Sequence, residues 1–329
     1  MRNGILIITS MVVACGVFAM QQSGSQRGEN PFLVEWQTPF GMPPFDSIKN
    51  EHFLPAYQEA IARQRREVEQ IAGRSQPADF ANTIEALDAS GELLEKVSAV
   101  FGNLTSAETS ERLQAIAREV APLTSALQDD ILMNDQLFAR VRAVWEKRDH
   151  LRVSPEQHRL IEETYKRFVR GGAKLGPEQK VRMRAINEEL SVLGLRFSEN
   201  LLKETNAFRL VVEKEENLSG LPETAVAAAA DAARAAGMQG KWVFTLQAPS
   251  IWPFMTYADN RGLRRQIHGA YVTRAGLGNQ QDNKAILLKI TGLRAERARL
   301  LGYATHADLV LEERMAKTPE TVYKFLDQI

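Results

Sequence analysis

The side chains in this sequence that could bind a metal ion or transfer protons near neutral pH are its five histidines. They are His52, His150, His158, His268 and His306. A zinc-binding helix needs two histidines four residues apart, so that both imidazoles face one ion, with a glutamate between them as general base. The closest pair here is eight residues apart. The 329 residues therefore contain no H-E-x-x-H motif, and they indicate no catalytic and no metal-ligating residue.

A weaker pattern joins His158 to Glu162, one helical turn further along, with Glu163 beside it. Such a pair could form half of a metal site. An ion pair on a helix surface explains the same spacing and is the favoured interpretation. His52 and His306 follow predicted loops close to helix starts, which favours capping or packing roles for both.

Patterns typical of other catalytic chemistries are missing from the sequence. It has no G-x-S-x-G nucleophile turn and no phosphate-binding P-loop. Its one G-x-G, formed by Gly276 and Gly278, lacks the third glycine and the preceding strand of a dinucleotide-binding turn. No local pattern therefore identifies a nucleophile or a phosphate-binding loop.

A group of five aromatic side chains could line a binding groove. Its members are Trp242, Phe244, Trp252, Phe254 and Tyr257. Core packing around a β-hairpin is the favoured interpretation, because aromatic rings bury large apolar areas.

A charged run further along could hold a carboxylate. It consists of Arg294, Glu296, Arg297 and Arg299. A solvated helix face is the favoured interpretation here, and the substrate-binding residues stay unknown.

Hydrophobic spacing and capping residues predict the elements that must position any site. Helices are predicted at residues 53–72, 82–106, 110–128, 134–148, 154–170, 177–205, 222–236, 253–259, 261–274, 282–301 and 305–315. The proline-rich segment 31–45 is expected to lie extended on the fold. Two short β-type runs, about 208–212 and 242–246, are expected to pair. The fold class is therefore mainly α with a small β element.

The predicted helix 82–106 is expected to take Asn82 or Thr83 as its cap. Its expected inner face carries aliphatic residues at helical spacing. They are Ile84, Leu87, Leu93, Leu94 and Val97.

The last predicted helix opens with Thr318, Pro319 and Glu320, which suit a capped first turn. An apolar stripe follows at helical spacing. It consists of Val322, Phe325, Leu326 and Ile329. The stripe runs to the last residue without a closing glycine, so we expect a chain that stops in the middle of a fold. A terminal helix docked on the core is the alternative.

Composition excludes several classes of partner. The 41 basic and 41 acidic residues balance, which gives no electrostatic basis for binding nucleic acid or an anionic membrane. With 44% hydrophobic and 25% charged residues, the chain is typical of a globular protein. Its single cysteine excludes disulfides within the chain and a cysteine-based zinc site.

The N-terminus is typical of an export signal, because Arg2 precedes a short apolar run over residues 5–20. We predict a signal peptide over residues 1–19 and a tether over 20–30. Residues 12–15 resemble a lipobox, which would make Cys15 a lipidated first residue. Cleavage by ordinary signal peptidase after Ala19 is the alternative. The protein is therefore expected to be exported, either periplasmic or anchored as a lipoprotein.

Two blocks of the chain carry a family resemblance. Residues 30–60 read NPFLVEWQTPFGMPPFDSIKNEHFLPAYQEA, and residues 241–329 include WVFTLQAPSIWPFMTYADNRGLRRQIHGAYVTRAG. The most telling pieces are Leu300-Leu301-Gly302-Tyr303 and Met315-Ala316-Lys317-Thr318-Pro319. Together these blocks resemble the N-terminal half of a bacterial peptidyl-dipeptidase, in the dipeptidyl carboxypeptidase branch of the thimet oligopeptidase family of zinc metallopeptidases.

The resemblance implies a two-lobed, mostly helical ellipsoid divided by a deep channel. It implies one zinc ion, held by an H-E-x-x-H helix and a later glutamate, and a glutamate that activates water. The substrates would be short unstructured peptides, cleaved to release C-terminal dipeptides. None of those catalytic positions falls within this sequence.

By this resemblance, residues 31–240 form a helical N-terminal region and residues 241–329 begin the peptidase domain. The fragment alone is then expected to be inactive, to bind no zinc and to be poorly soluble. The alternatives are an exported helical protein that binds peptides without cleaving them, or a generic helical scaffold.

Overall fold

A computed structural model describes the chain from Asn30 to Ile329. The expectations for the signal peptide, for Cys15 and for residues 20–29 of the tether lie outside these described residues and stay predictions.

The described chain is mainly α-helical, as the sequence predicted. Its helices are α1 (Asn50–Ala72), α2 (Ala86–Asp88), α3 (Glu92–Ala107), α4 (Glu111–Leu132), α5 (Asp135–Glu146), α6 (Pro155–Arg170), α7 (Pro177–Ala207), α8 (Glu223–Ala235), α9 (Ala248–Tyr257), α10 (Arg261–Val272), α11 (Lys284–Leu300), α12 (His306–Leu311) and α13 (Pro319–Leu326). A π-helical segment (Phe80–Glu85) precedes α2, and short 3-10 turns occupy Pro39–Gly41, Arg148–His150 and Glu215–Leu218. Strands β1 (Leu210–Val212) and β2 (Trp242–Phe244) pair antiparallel, with Val211 opposite Val243.

The segment before α1 lies on the fold through one buried ring. Phe32 is 1% exposed and packs against Phe53 of α1, with ring centroids 5.2 Å apart. Lys96 of α3 donates a hydrogen bond of 2.8 Å to the carbonyl of Val34. The prediction that this segment packs on the fold is therefore confirmed at Phe32, but its extended course is wrong, because residues 39–41 form a 3-10 turn.

The prediction of one helix over residues 82–106 is wrong at its start and in its middle. The cap is Asp79, whose carboxylate accepts a 2.7 Å hydrogen bond from the backbone of Asn82. The helix then breaks before α3 at Gly91, where φ is +86°, a conformation that favours glycine. Glu67 of α1 accepts from the Gly91 N–H at 2.8 Å. The break therefore depends on a contact with a different helix.

The predicted inner face of that region is confirmed in part. Ile84 and Val97 are fully buried and Leu93 nearly so, whereas Leu87 and Leu94 are only partly buried. The buried residues on the two sides of the break belong to different core clusters: Ile84 lies in one with Val68, whereas Leu93 and Val97 lie in one with Phe53.

Several boundaries also differ from prediction. Helix α9 begins at Ala248 instead of residue 253, and it keeps Pro253 in its interior. Pro249 occupies its first turn, where the missing N–H of a proline costs no hydrogen bond. Helix α4 extends to Leu132, whereas α12 is shorter than predicted and ends at Leu311.

Helix α7 is the longest element, with 31 residues, and it organises the described chain. It packs against α4 on one side and against α11 on the other. Arg184 of α7 forms a 2.7 Å ion pair with Asp130 of α4. Arg182 of α7 reaches Glu296 of α11 through two hydrogen bonds of 2.6 Å each. Helices α4 and α11, which are far apart in the sequence, are therefore both held against α7.

The apolar stripe at the end of the chain is uncovered. No residue of α13 is buried, and Phe325 and Leu326 are 61% and 55% exposed. On α11, Leu288 is 76% exposed. Among residues 30–329, no helix has the length and apolar character needed to cross a membrane.

One buried guanidinium fixes the loop between α1 and the π-helical segment. Arg140 of α5 donates to the carbonyls of Arg74 and Gln76 at 2.9 and 3.0 Å. Its second terminal nitrogen donates to Asn82 Oδ1 at 2.7 Å and to Thr83 Oγ1 at 3.2 Å. Since backbone carbonyls in a loop have no helical partners, this side chain satisfies them.

We predict that Arg140→Met lowers the free energy of unfolding by about 3 kcal/mol, because the loop carbonyls lose charge-assisted hydrogen bonds. Chemical denaturation monitored by circular dichroism measures the change. The matched control is Arg142→Met on the same helix. The Arg142 side chain is 54% exposed, and its contact with Glu146 is a long surface ion pair of 3.8 Å. The control should change the unfolding free energy by less than about 0.5 kcal/mol. Equal effects of the two substitutions would contradict the assigned role of Arg140.

Candidate functional site

A cavity of about 790 Å³ opens where α11 and α12 meet the earlier helices. Helices α4, α6, α7, α11 and α12 all contribute to its wall. A second cavity of about 490 Å³ lies between α1, α3, α4 and α6. Gln128, Leu132 and Arg167 line both cavities, so the two spaces adjoin across α4 and α6. We refer to the larger space as the junction cavity.

Helical spacing explains how the wall of the junction cavity is built. Gln128, Asp129 and Leu132 follow one another at the i, i+1 and i+4 positions of α4, and Met183 and Asn187 lie one turn apart on α7. Residues four apart share a helix face, so each helix turns one stripe of side chains into the cavity.

Asp129 is the most deeply buried acid of this wall, at 4% exposure. Its Oδ1 accepts a 2.7 Å hydrogen bond from the side-chain amide of Asn187. Burial raises the pKa of the Asp129 carboxyl to about 6, against the opposing effects of the Asn187 hydrogen bond and of Arg184 and Arg297. Asp129 therefore changes charge close to neutral pH.

Arg297 of α11 enters the same cavity and is half-buried. Burial lowers the pKa of its guanidinium, the neighbouring charge of Arg294 lowers it further, and Asp129 raises it. Its closest polar contact is the side-chain oxygen of Asn187 at 3.5 Å. Asn187 thus bridges the two charged groups, with its nitrogen directed to Asp129 and its oxygen to Arg297.

The far side of the cavity is closed by a network around Arg170 at the end of α6. Arg170 pairs with Glu312 and donates to the Leu309 carbonyl at 2.7 Å and to the Tyr303 hydroxyl at 3.2 Å. The Tyr303 hydroxyl in turn donates to Glu312 at 2.5 Å. Because this network joins three separate elements, it fixes the position of α12 against α6.

Gly302 places Tyr303 in that network. Its φ is +86°, and the Tyr303 N–H returns to the Ala298 carbonyl at 2.9 Å, as expected of a helix that ends on a glycine. The Leu-Leu-Gly-Tyr signature noted in the sequence therefore acts as a helix stop followed by a tyrosine aimed at α6.

The histidines do not come together. His150 and His268 are exposed, and His158 lies 3.5 Å from Asp149 and 3.8 Å from Glu162 on the protein surface. The placement of His158 beside Glu162 on the helix surface is therefore confirmed.

The structural roles expected for His52 and His306 are confirmed as well. His52 Nδ1 accepts from the Lys49 N–H at 3.1 Å, as a capping group does. His306 packs at the start of α12, directly after the capping residue Thr305. Burial and the charges of Arg294 and Arg297 lower the pKa of His306, which favours its neutral form.

Residues 30–329 do not fit a zinc ion. Within them, no three His, Cys, Asp or Glu side chains are grouped closely enough to hold a metal. We therefore assign no metal-dependent step to this part of the chain.

The aromatic group splits into core and surface members. Phe244 and Phe254 are buried with ring centroids 4.5 Å apart, which confirms core packing at the hairpin. Trp252 and Tyr257 are about half exposed, at 51% and 54%.

The charged run on α11 is not simply a solvated face. Arg294 and Arg299 are exposed as expected, but Glu296 is paired with Arg182 and Arg297 lines the junction cavity. The prediction is therefore wrong for Arg297, which lines the cavity, whereas Glu296 forms an ion pair with Arg182 that stays accessible to solvent.

Sequence reasoning missed Asp129 and Asn187 as site residues. Asp129 stands in a polar Gln-Asp-Asp run, which looks like an exposed helix face, and Asn187 carries no local signal. One available signal was the pair of apolar residues Leu132 and Met133, three and four positions after Asp129, which are buried.

We predict that Asp129→Asn stabilises the protein at neutral pH. The carboxyl pKa is raised from about 4 in the unfolded chain to about 6 in the folded chain, so the stability that Asp129 contributes is complete below about pH 4 and is lost as pH rises through 6. The stability of the variant relative to the wild type should therefore increase between pH 4 and 7 and reach a plateau of about 3 kcal/mol. Denaturation curves across this range measure the gain. A difference independent of pH would contradict the assignment.

The sequence of this chain was compared with those of known proteins and protein families. The profile of peptidase family M3 matches residues 254–329, which include α10 to α13. The chain is 38% identical over 300 residues to dipeptidyl carboxypeptidase of Escherichia coli (strain K12), covering 91% of this chain and 44% of that protein. It is 35% identical over 297 residues to dipeptidyl carboxypeptidase of Salmonella typhimurium, covering 90% of this chain and 44% of that protein.

A second group of relatives carries a different name. Oligopeptidase A of Haemophilus influenzae is 33% identical over 294 residues, covering 88% of this chain and 43% of that protein. The chain thus spans less than half the length of these curated relatives. The profile match and the identities along nearly all of its length show that the chain belongs to peptidase family M3.

Proposed function

We propose that these residues belong to a zinc-dependent peptidase that hydrolyses short oligopeptides and releases dipeptides from their C-termini. One observation carries this proposal: 91% of the chain aligns at 38% identity with a dipeptidyl carboxypeptidase. The match to oligopeptidase A is weaker, at 33% over 88% of the chain. We therefore favour dipeptide release over internal cleavage.

We infer that residues 30–329 contribute scaffold and binding surface to this activity. The described part supplies two adjoining cavities lined by charged and apolar side chains. It supplies no grouping of zinc ligands, and the sequence has no H-E-x-x-H. The zinc ion and the residues that hold it would come from a longer protein that includes this chain. The zinc would activate water for attack on the peptide bond.

The uncovered apolar side chains fit this division. Leu288 of α11 and the stripe on α13 would pack against that further part of the protein. The 329-residue chain by itself would then keep these apolar surfaces in water, which favours self-association.

We also propose that the protein is exported. Residues 1–19 would serve as the signal peptide, and lipidation of Cys15 would anchor the protein, whereas cleavage after Ala19 would leave it free in the periplasm. Mass spectrometry of the mature N-terminus distinguishes these two fates. A mature protein that keeps residues 1–14 would contradict both.

We predict that the 329-residue chain contains less than about 0.1 zinc per molecule and releases no dipeptide, since it lacks the paired histidines of a zinc helix. A protein extended by the reading frame beyond the Ile329 codon should carry an H-E-x-x-H motif, bind about one zinc and release dipeptides. Metal analysis and mass spectrometry of peptide products measure both proteins.

Two outcomes would overturn the proposal. One is stoichiometric zinc on the 329-residue chain. The other is an extended protein that binds zinc but cuts peptides only at internal bonds, which would favour the oligopeptidase interpretation.

A further inference from the structure

We propose that the junction cavity binds the terminal carboxylate of a short peptide, with the guanidinium of Arg297 as its anchor and Asp129 as an internal competitor for that guanidinium. The choice of a peptide rests on the proposed function. The anion site rests on the charges of the cavity alone.

The junction cavity contains basic side chains that differ in whether a nearby carboxylate neutralises them. Lys166 lies 3.2 Å from Glu163, and Arg170 is paired with Glu312. Arg297 and Arg167 also line the cavity, and within residues 30–329 neither has a carboxylate oxygen closer than 4 Å. Among the described residues, the cavity therefore holds two guanidinium groups that lie beyond ion-pair distance of any carboxylate, although the charge of Asp129 still acts on Arg297.

Arg297 is the stronger anchor because it has lost part of its hydration. Burial lowers the pKa of this group, and its side-chain hydrogen bond to Asn187 is long at 3.5 Å. A partly desolvated cation gains more from a counter-ion than an exposed one does. The planar guanidinium also matches a carboxylate through two parallel hydrogen bonds.

Asp129 sets the pH at which the anchor is free. Arg184 and Asn187 face Asp129 from α7, Arg297 faces it from α11, and Asp130 adjoins it on α4. Helix α6 adds Lys166, Arg167, Arg170 and Glu163 to the same cavity, and Glu313 follows α12. When ionised, Asp129 attracts Arg297 and repels an entering carboxylate. When protonated, it does neither.

The sign of the pH effect follows from these charges. A peptide carboxylate stays ionised above about pH 4, whereas Asp129 becomes protonated below about 6. Affinity for the carboxylate should therefore be higher near pH 5 than near pH 7.5. Binding should also be accompanied by proton uptake at pH values near 6, because the bound anion raises the pKa of Asp129 further.

The size and lining of the cavity suit a short peptide. Its volume of about 790 Å³ lies within the range of pockets that enclose small organic ligands. Apolar side chains from α4, from α7 and from the end of α11 complete the cavity wall beside the charged groups. They include Leu132, Met183, Leu190 and Leu301.

The test is calorimetric titration of the chain with the probe acetyl-Leu-Ala and with the C-terminal amide of the same peptide. Near pH 5 the acid should bind at least about tenfold more tightly than the amide, because only the acid carries the negative charge. This ratio should shrink as the pH approaches 7.5. Equal binding of acid and amide, or no binding of either, overturns the inference.

Three variants test the roles of Arg297 and Asp129 in binding the acid. Arg297→Gln should reduce affinity for the acid by about tenfold or more and leave the amide unaffected. Arg299→Gln is the matched control, because it removes the same charge from an exposed position of the same helix. Asp129→Asn should bind the acid near pH 7.5 as tightly as the wild type does near pH 5. A pH dependence that persists in this variant overturns the role of Asp129.

Circular dichroism and a second substitution guard against loss of folding. If Arg297→Gln unfolds, Arg297→Lys keeps the charge but not the planar fork, and it should still lose several-fold in affinity. Unchanged affinity in the Lys variant, together with equal binding of acid and amide by the wild type, rejects the site.

Binding is measured without turnover, so the two proposals fail separately. A chain that binds the acid through Arg297 supports this inference even if an extended protein proves not to be a dipeptide-releasing enzyme. An extended protein that releases dipeptides with no loss on Arg297→Gln supports the function and rejects the site.

Discussion

The helices around the junction cavity depend on the placement of α7 between α4 and α11. A helix carrying so many charged residues can pack on both sides only if its half-buried polar groups find partners there. Arg184 meets Asp130 on one side and Arg182 meets Glu296 on the other, while Asn187 hydrogen-bonds to Asp129 and approaches Arg297. The α4–α7 and α7–α11 interfaces are therefore specified by polar pairing as well as by apolar burial. The same pairing leaves Asp129 as the acid with a raised pKa in the junction cavity, and leaves Arg297 with a long hydrogen bond to Asn187.

Local sequence signals were sufficient for most of the elements. Ser110, Asn134 and Ser154 cap their helices with the side-chain hydrogen bonds expected of them, and the two short β runs pair as predicted. These features depend on residues three or four positions apart, or on alternation within one strand. The family resemblance could also be found from the sequence, because it rests on short runs such as Leu-Leu-Gly-Tyr. In the structure this run is a helix end at a glycine of positive φ, followed by the tyrosine.

The errors share a cause, which is contact between residues far apart in sequence. The break at Gly91 is tied to Glu67 of another helix, so spacing along residues 82–106 could not reveal it. Arg297 was predicted to be solvated because spacing along α11 could not show that Asn187 of α7 lies beside it. Asp129 was overlooked for the same reason, since its burial is a property of the packed helices and its high pKa follows from that burial. The fold class could thus be predicted, whereas the site could not.

The Arg140 contacts also bear on how the protein opens. Its partners, from Arg74 to Thr83, lie between 57 and 66 residues earlier in the chain. A π-helical turn is rare, and here the Arg140 guanidinium of α5 hydrogen-bonds to the side chains of Asn82 and Thr83 within it. The π-helical segment and α5 are therefore expected to open together. The two segments should share one protection factor in hydrogen exchange and behave as a single cooperative unit, although some fifty residues separate them in the sequence.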